Sequence, residues 1–144
     1  MADGMEGIDV VAVTAWFADL VENLVTPLDF ELLAGGHSNL TYRVTDGAGR
    51  AYVLRRPPLG HVLHSAHDMG REHKIISALK GSSVPVATTV DLCTDHSVND
   101  APFYVMDYVA GPVLHDHDAA ADLSEDDRES LGLHVIDVLS ALHK

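Results

Sequence analysis

Three groups of residues have the types and spacing to grip an anion. The first is Gly35-Gly36-His37-Ser38-Asn39. Glycines there let backbone N–H groups approach phosphate oxygens with no side chain in the way, although a glycine pair taken alone is as readily a turn. The second is Arg55, which closes the apolar run Val53-Leu54-Arg55. On a strand, Val53 and Arg55 share a face and Arg56 points the other way. A guanidinium is always charged and can hold phosphate or carboxylate with two parallel hydrogen bonds. The third is Glu72, in Arg71-Glu72-His73-Lys74, the acidic partner such an arginine needs.

Other titratable groups carry less. His61, His64 and His67 are spaced by three and followed by His73, which on a helix could suit zinc or nickel. Pro57, Pro58 and Gly60 make the first part a loop, however, and no carboxylate or cysteine completes a set; we expect no metal site. His115-Asp116-His117-Asp118 lies in an acidic linker and reads as solvated. Cys93, the single cysteine, excludes an intrachain disulfide framework and reads as structural.

These residues need elements to hold them. Residues 9–24 read as an amphipathic helix, with Asp9 as N-cap, Val13, Phe17, Leu20 and Leu24 on one face, and Pro27 ending it. Strands are expected at Phe30–Ala34, Leu40–Thr45 and Ala51–Arg55. The first two are joined through the glycine segment and the last two through Asp46-Gly47-Ala48-Gly49, a hairpin signal. Pro57-Pro58 stops the third strand. A helix from Asp68 to Lys80, closed by Gly81, carries Glu72. Strands at Val86–Cys93 and Phe103–Val109 flank the polar stretch Thr94–Pro102. A last helix starts near Ser124, capped with Asp127, and runs through Leu131, Val135, Val138 and Leu142. It reaches Lys144 with no glycine, asparagine or proline terminator, so the expectation is a sequence cut inside or at the edge of an element.

Charge narrows the partners. The chain has 22 Asp+Glu against 9 Lys+Arg, net −13, which argues against nonspecific nucleic-acid binding and against docking on anionic lipid. Yet residues 35–80 carry 7 basic and 3 acidic side chains, net +4, within that acidic whole. A local anion pocket fits this asymmetry. No apolar run approaches the roughly 20 residues of a bilayer span, and the acidic N-terminus lacks a signal pattern, so a cytoplasmic location is the expectation.

The element order, with glycine loop, arginine strand and glutamate helix, is that of a kinase N-terminal lobe. The segments GGHSNLTYRV (35–44), YVLRRPP (52–58), SAHDMGREHKIISAL (65–79) and FYVMDYVAG (103–111) resemble the N-lobe of the aminoglycoside phosphotransferase and choline kinase-like superfamily. The similarity is greatest to the phosphotransferase-like domains associated with acyl-CoA dehydrogenases. The resemblance implies an α+β fold: a five-stranded antiparallel sheet with an N-terminal helix, a helix after strand 3, and a C-terminal helix leading toward a C-lobe absent from this sequence. It divides the chain into an N-terminal helix (1–27), a nucleotide-binding N-lobe (28–110) and a linker with the first C-lobe helix (111–144).

The resemblance also implies roles. Gly35, Gly36, His37, Ser38 and Asn39 would cradle ATP phosphates, Val53 would cover the adenine, and Arg55 would reach the α- and β-phosphates with Glu72 steadying it. Arginine stands where the family has lysine. Met106 would sit at the back of the pocket, and backbone groups near Asp107 and Val109 would meet the adenine edge. The family transfers phosphoryl groups from ATP to a small-molecule hydroxyl with Mg²⁺, but its His-Gly-Asp catalytic loop and later metal-binding Asp motif do not occur in these 144 residues. No catalytic residue is therefore assigned in this chain, Mg²⁺ is expected only with the missing lobe, and residues 1–144 alone are expected to be inactive. The alternative is a degenerate lobe serving as a non-catalytic binding or regulatory module. Uncovered apolar faces lead us to expect association with itself or with the remaining lobe.

Overall fold

The computed structural model describes residues 4–34, 38–60 and 66–144. The first of its two compact units comprises Met1–Ala78 and Ala87–Tyr108. It contains α1 (Val10–Leu20), β1 (Asp29–Ala34), β2 (Leu40–Thr45), β3 (Ala51–Arg56), all but the last residue of α2 (Met69–Leu79), β4 (Thr89–Cys93), the short α3 (His96–Asn99) and β5 (Phe103–Asp107). The strands form one antiparallel sheet in the order β1-β2-β3-β5-β4, the five-stranded α+β arrangement expected from the sequence.

Alternation divides the sheet into two faces. Tyr42, Val44, Tyr52, Leu54, Phe103 and Val105 point to one side, where they form the core with Val13 and Phe17 of α1. Phe17 is fully buried and meets Tyr52 edge-on at 5.7 Å. The other face carries Arg43, Val53, Arg55, Tyr104 and Met106, in register across β2, β3 and β5: Arg43 opposite Val53, Val53 opposite Met106, and Arg55 opposite Tyr104.

The β2–β3 hairpin is held by one carboxylate. Asp46 Oδ1 accepts from the N–H groups of Ala48 and Arg50 at 3.0 and 2.9 Å, and Oδ2 pairs with the Arg50 guanidinium at 2.8 Å. Gly49, at φ +86°, supplies the left-handed residue that the turn requires. Burial works against the Asp46 charge, but the bonds from Arg50 and Ala48 outweigh it and hold this carboxyl below the usual carboxylate range.

The structure corrects the sequence expectations in four places. Asp9 caps α1 as expected, accepting from Ala12 N–H at 3.0 Å. The helix ends at Leu20, not Leu24, because Val21 is already extended and Asn23 turns left-handed at φ 55°. The stretch Thr94–Pro102 is more than a link: Asp95 caps the single turn α3, accepting from Ser97 N–H at 2.9 Å. β4 begins at Thr89, not Val86, and β5 ends at Asp107, not Val109, since pairing extends only over those residues.

The segment before α1 is tied down by polar side chains. Tyr42 Oη donates to Glu6 O at 2.7 Å, Arg56 donates to Gly7 O, and Asn99 Nδ2 also donates to Gly7 O, at 3.3 Å. Asn99 Oδ1 accepts from Asp9 N–H at 2.9 Å. Gly7 must be glycine here: its φ is +80° and a Cβ would lie 2.8 Å from Tyr42 Oη.

The second unit comprises Leu79–Val86 and Val109–Lys144. Its main element is α4 (Glu125–Leu142), where the expected Ser124 cap is present. Ser124 Oγ accepts from Asp127 N–H at 3.1 Å and donates to Asp127 Oδ2 at 2.7 Å. No residue of α4 is buried. Among the described residues, no helix is long and apolar enough to cross a membrane.

Candidate functional site

Arg55, one residue before the end of β3, is turned away from the core by its position on the strand, and α2 lies against that same face. Ser77 on α2 and Thr89 on β4 are joined through their hydroxyls at 2.9 Å. This brings Glu72, one turn into α2, over Arg55. The two meet at 3.4 Å, Arg55 Nη1 to Glu72 Oε2, with the side chains 31% and 28% exposed.

The carboxylate has more partners than this arginine. Tyr104 Oη donates to Glu72 Oε2 at 3.0 Å, and Asn39 Nδ2 donates to Glu72 Oε1 at 2.8 Å. Asn39 Oδ1 in turn meets His67 Nδ1 at 2.7 Å. The foot of the glycine segment, the approach to α2, and the centres of β3 and β5 therefore converge on one carboxyl group. Tyr104 is fully buried. Burial first, with Glu72 adding and Arg55 opposing, pushes its hydroxyl up to about 12, so it stays a neutral donor.

Arg55 is engaged but not saturated. It meets Glu72 through one nitrogen at long range instead of by a fork, and its Nε is buried with no hydrogen-bond partner. A buried donor left unpaired costs about 1–3 kcal/mol. An anion resting on this face, in line with the guanidinium, would satisfy it.

The remaining residues singled out in the sequence are placed as follows. Val53 is buried on the same face, opposite the partly buried Met106. Asp107 N–H is taken by Thr88 O at 2.8 Å, so a ligand could meet this backbone unit only at its carbonyl. Ser38 is exposed. Val109 belongs to the second unit and is also exposed. Gly35, Gly36 and His37 lie outside the described residues, as do His61 and His64 of the histidine series. His67, the third of that series, is engaged with Asn39. Among the described residues no three His, Cys, Asp or Glu side chains converge as a metal site.

Sequence reasoning did not find Tyr104, the pairing of Asn39 with Glu72, or Arg43. Arg43 lies over the Tyr108 ring, its guanidinium carbon 4.7 Å from the centroid. The signal for Tyr104 was period two along β5 once β5 is known to lie beside β3. A cavity of about 560 Å³ borders Arg56 instead, between Pro58, Met69, Thr94 and Pro102; Arg55 does not line it.

The sequence model of the phosphotransferase enzyme family matches residues 29–144. Over 117 residues the chain is 37% identical to mouse acyl-CoA dehydrogenase family member 10, covering 81% of this chain and 11% of that protein. Over 108 residues it is 38% identical to mouse acyl-CoA dehydrogenase family member 11, covering 75% and 14%. The chain thus spans a small fraction of the length of these relatives. Among solved structures, a Ralstonia eutropha protein assigned as an aminoglycoside phosphotransferase superposes with a TM-score of 0.74 at 32% identity. That match covers 94% of this chain and 38% of the other.

Proposed function

The chain belongs to the phosphotransferase enzyme family, and from that premise we propose that it is the nucleotide-gripping lobe of an ATP-dependent small-molecule kinase. The observation that carries the reading is Arg55, held by Glu72 through one nitrogen, its side chain still 31% exposed and its Nε unpaired, on the face of the sheet opposite the core. In this reading the Arg55 guanidinium takes the α- and β-phosphates, and the glycine segment Gly35–Asn39 supplies backbone N–H groups. Val53 and Met106 form an apolar floor for the adenine, and the Asp107 carbonyl meets its edge.

Each part has a physical role. Glu72 keeps the arginine aimed while Tyr104 and Asn39 keep Glu72 aimed, so the cation is oriented before the nucleotide arrives. The guanidinium offsets phosphate charge, which is most of what phosphoryl transfer asks of a protein. Mg²⁺ would neutralise the remaining phosphate charge. The Glu72 oxygens are already committed to Arg55, Tyr104 and Asn39, so the metal falls to residues outside this chain, as does the base that takes the proton from a small-molecule hydroxyl.

Calorimetric titration tests the site. The chain is expected to bind ATP and inorganic tripolyphosphate, and R55M to lose about tenfold to a hundredfold for both. Equal binding by the wild type and R55M removes Arg55 from the site. The whole protein's transfer of phosphate to a hydroxyl is the further part of the proposal, the alternative being a lobe that binds without catalysis. A full-length relative that binds ATP yet fails to phosphorylate any hydroxyl compound in a broad panel favours that alternative.

A further inference from the structure

Among the described residues, two side-chain nitrogens are buried without any hydrogen-bond partner, Arg43 Nε and Arg55 Nε. Both belong to the same face of the sheet, on adjacent strands, and they flank Val53: Arg43 is directly opposite it and Arg55 is two residues further along β3. Such orphans are rare in a folded protein, and two on one face of the sheet point to a ligand with acceptors at two places. Arg55 already has a reading as the phosphate grip. Arg43 has none.

Arg43 stands at the other end of that face. Its guanidinium stacks on Tyr108, 4.7 Å from the ring centroid. Tyr108 is itself fixed, its N–H donating to Ala51 O at 3.2 Å. Glu31 is opposite Arg43 on β1, but no carboxylate among the described residues comes within ion-pair distance of it. Arg43 is therefore a cation held by an aromatic face, with one buried donor unpaired, beside the apolar Val53 and Met106.

We propose that Arg43 is a specificity-determining residue of this site, its Nε–H donating to a ring-nitrogen or carbonyl acceptor of the nucleotide base. Stacking on Tyr108 fixes the plane of the guanidinium, so the donor direction is set in advance and favours a base over a bare phosphate. The inference rests on the nucleotide reading of the face and goes beyond it by naming what reads the base.

The test titrates ATP and inorganic tripolyphosphate into the wild-type chain, R43K and R43L, with the thermal midpoint of each measured alongside. R43K keeps a cation over Tyr108 and loses the Nε–H, so it carries the test should R43L fold poorly. Both variants are expected to lose about tenfold for ATP and to keep wild-type affinity for tripolyphosphate. Unchanged ATP affinity in R43K overturns the proposal. So does an equal loss for ATP and tripolyphosphate, which makes Arg43 a phosphate cation only. A wild type that binds tripolyphosphate as tightly as ATP leaves the Arg55 reading standing and overturns this one. A wild type that binds neither overturns both.

Discussion

Glu72 is the residue on which the candidate site turns, and its substitutions separate charge from hydrogen bonding. Glu72→Gln can still bond Asn39 and Tyr104 but no longer faces Arg55 with a charge. A pair this exposed is worth about 1 kcal/mol or less. The expected outcome is therefore a small fall in the urea midpoint together with a clear loss of ATP affinity in titration. Tyr104 makes a second prediction. Its hydroxyl ionises near 10 when unfolded and at about 12 when folded. Its contribution is thus complete below pH 10 and fades as pH rises from about 10 to about 12. Y104F should flatten the alkaline end of the stability profile measured by urea unfolding. The approach of Arg55 to Glu72 was legible through the resemblance to a kinase lobe, while strand alternation fixed only the face on which Arg55 lies. Tyr104 was not legible, since it meets Arg55 only through the pairing of β3 with β5, strands separated in sequence by α2 and β4. Asn39 was visible as part of a glycine segment, but its partner lies 33 residues away.

At the scale of elements, β1, β2 and β3 were read almost to the residue because turn chemistry bounds them, whereas β4 and β5 were each drawn too long at one end. The helical errors fell where local backbone turns override periodicity. α1 stops early at Val21 and Asn23, and Asp95 nucleates a turn of helix that periodicity cannot reveal in four residues. The hairpin at Asp46 was seen as a glycine turn, whereas its rigidity comes from the carboxylate. A carboxyl held below its usual range stabilises at neutral pH, and that stabilisation is lost as pH falls below about 4. D46N should be less stable than wild type at pH 7 and should show a smaller fall on acidification, read from thermal midpoints. The docking of α1 depends on Phe17, and F17A is expected to cost about 3–5 kcal/mol in denaturant unfolding.

For the whole molecule, the −13 charge describes the solubility of the chain and not its site. The positive stretch at 35–80 coincides with β2, β3 and α2, which hold Arg43, Arg55 and Glu72. The matched region accounts for 11–14% of the length of the mouse relatives. Purified residues 1–144 are expected to show no ATP-dependent phosphorylation in a coupled assay, and robust turnover would place the chemistry here after all. Apolar residues of α4 such as Leu133, Val135 and Ile136 are more than half exposed. Elution above the 15.5 kDa monomer position is accordingly expected in size exclusion, growing with concentration. The chain also has a single tryptophan, Trp16 on α1, packed edge-on against Phe103 at 4.9 Å and Phe17 at 5.6 Å. These rings are on the core side of the sheet, opposite the Arg55 face. Tryptophan emission, excited selectively, is thus a private signal of whether α1 is seated, and it should stay silent when a nucleotide arrives on the far side.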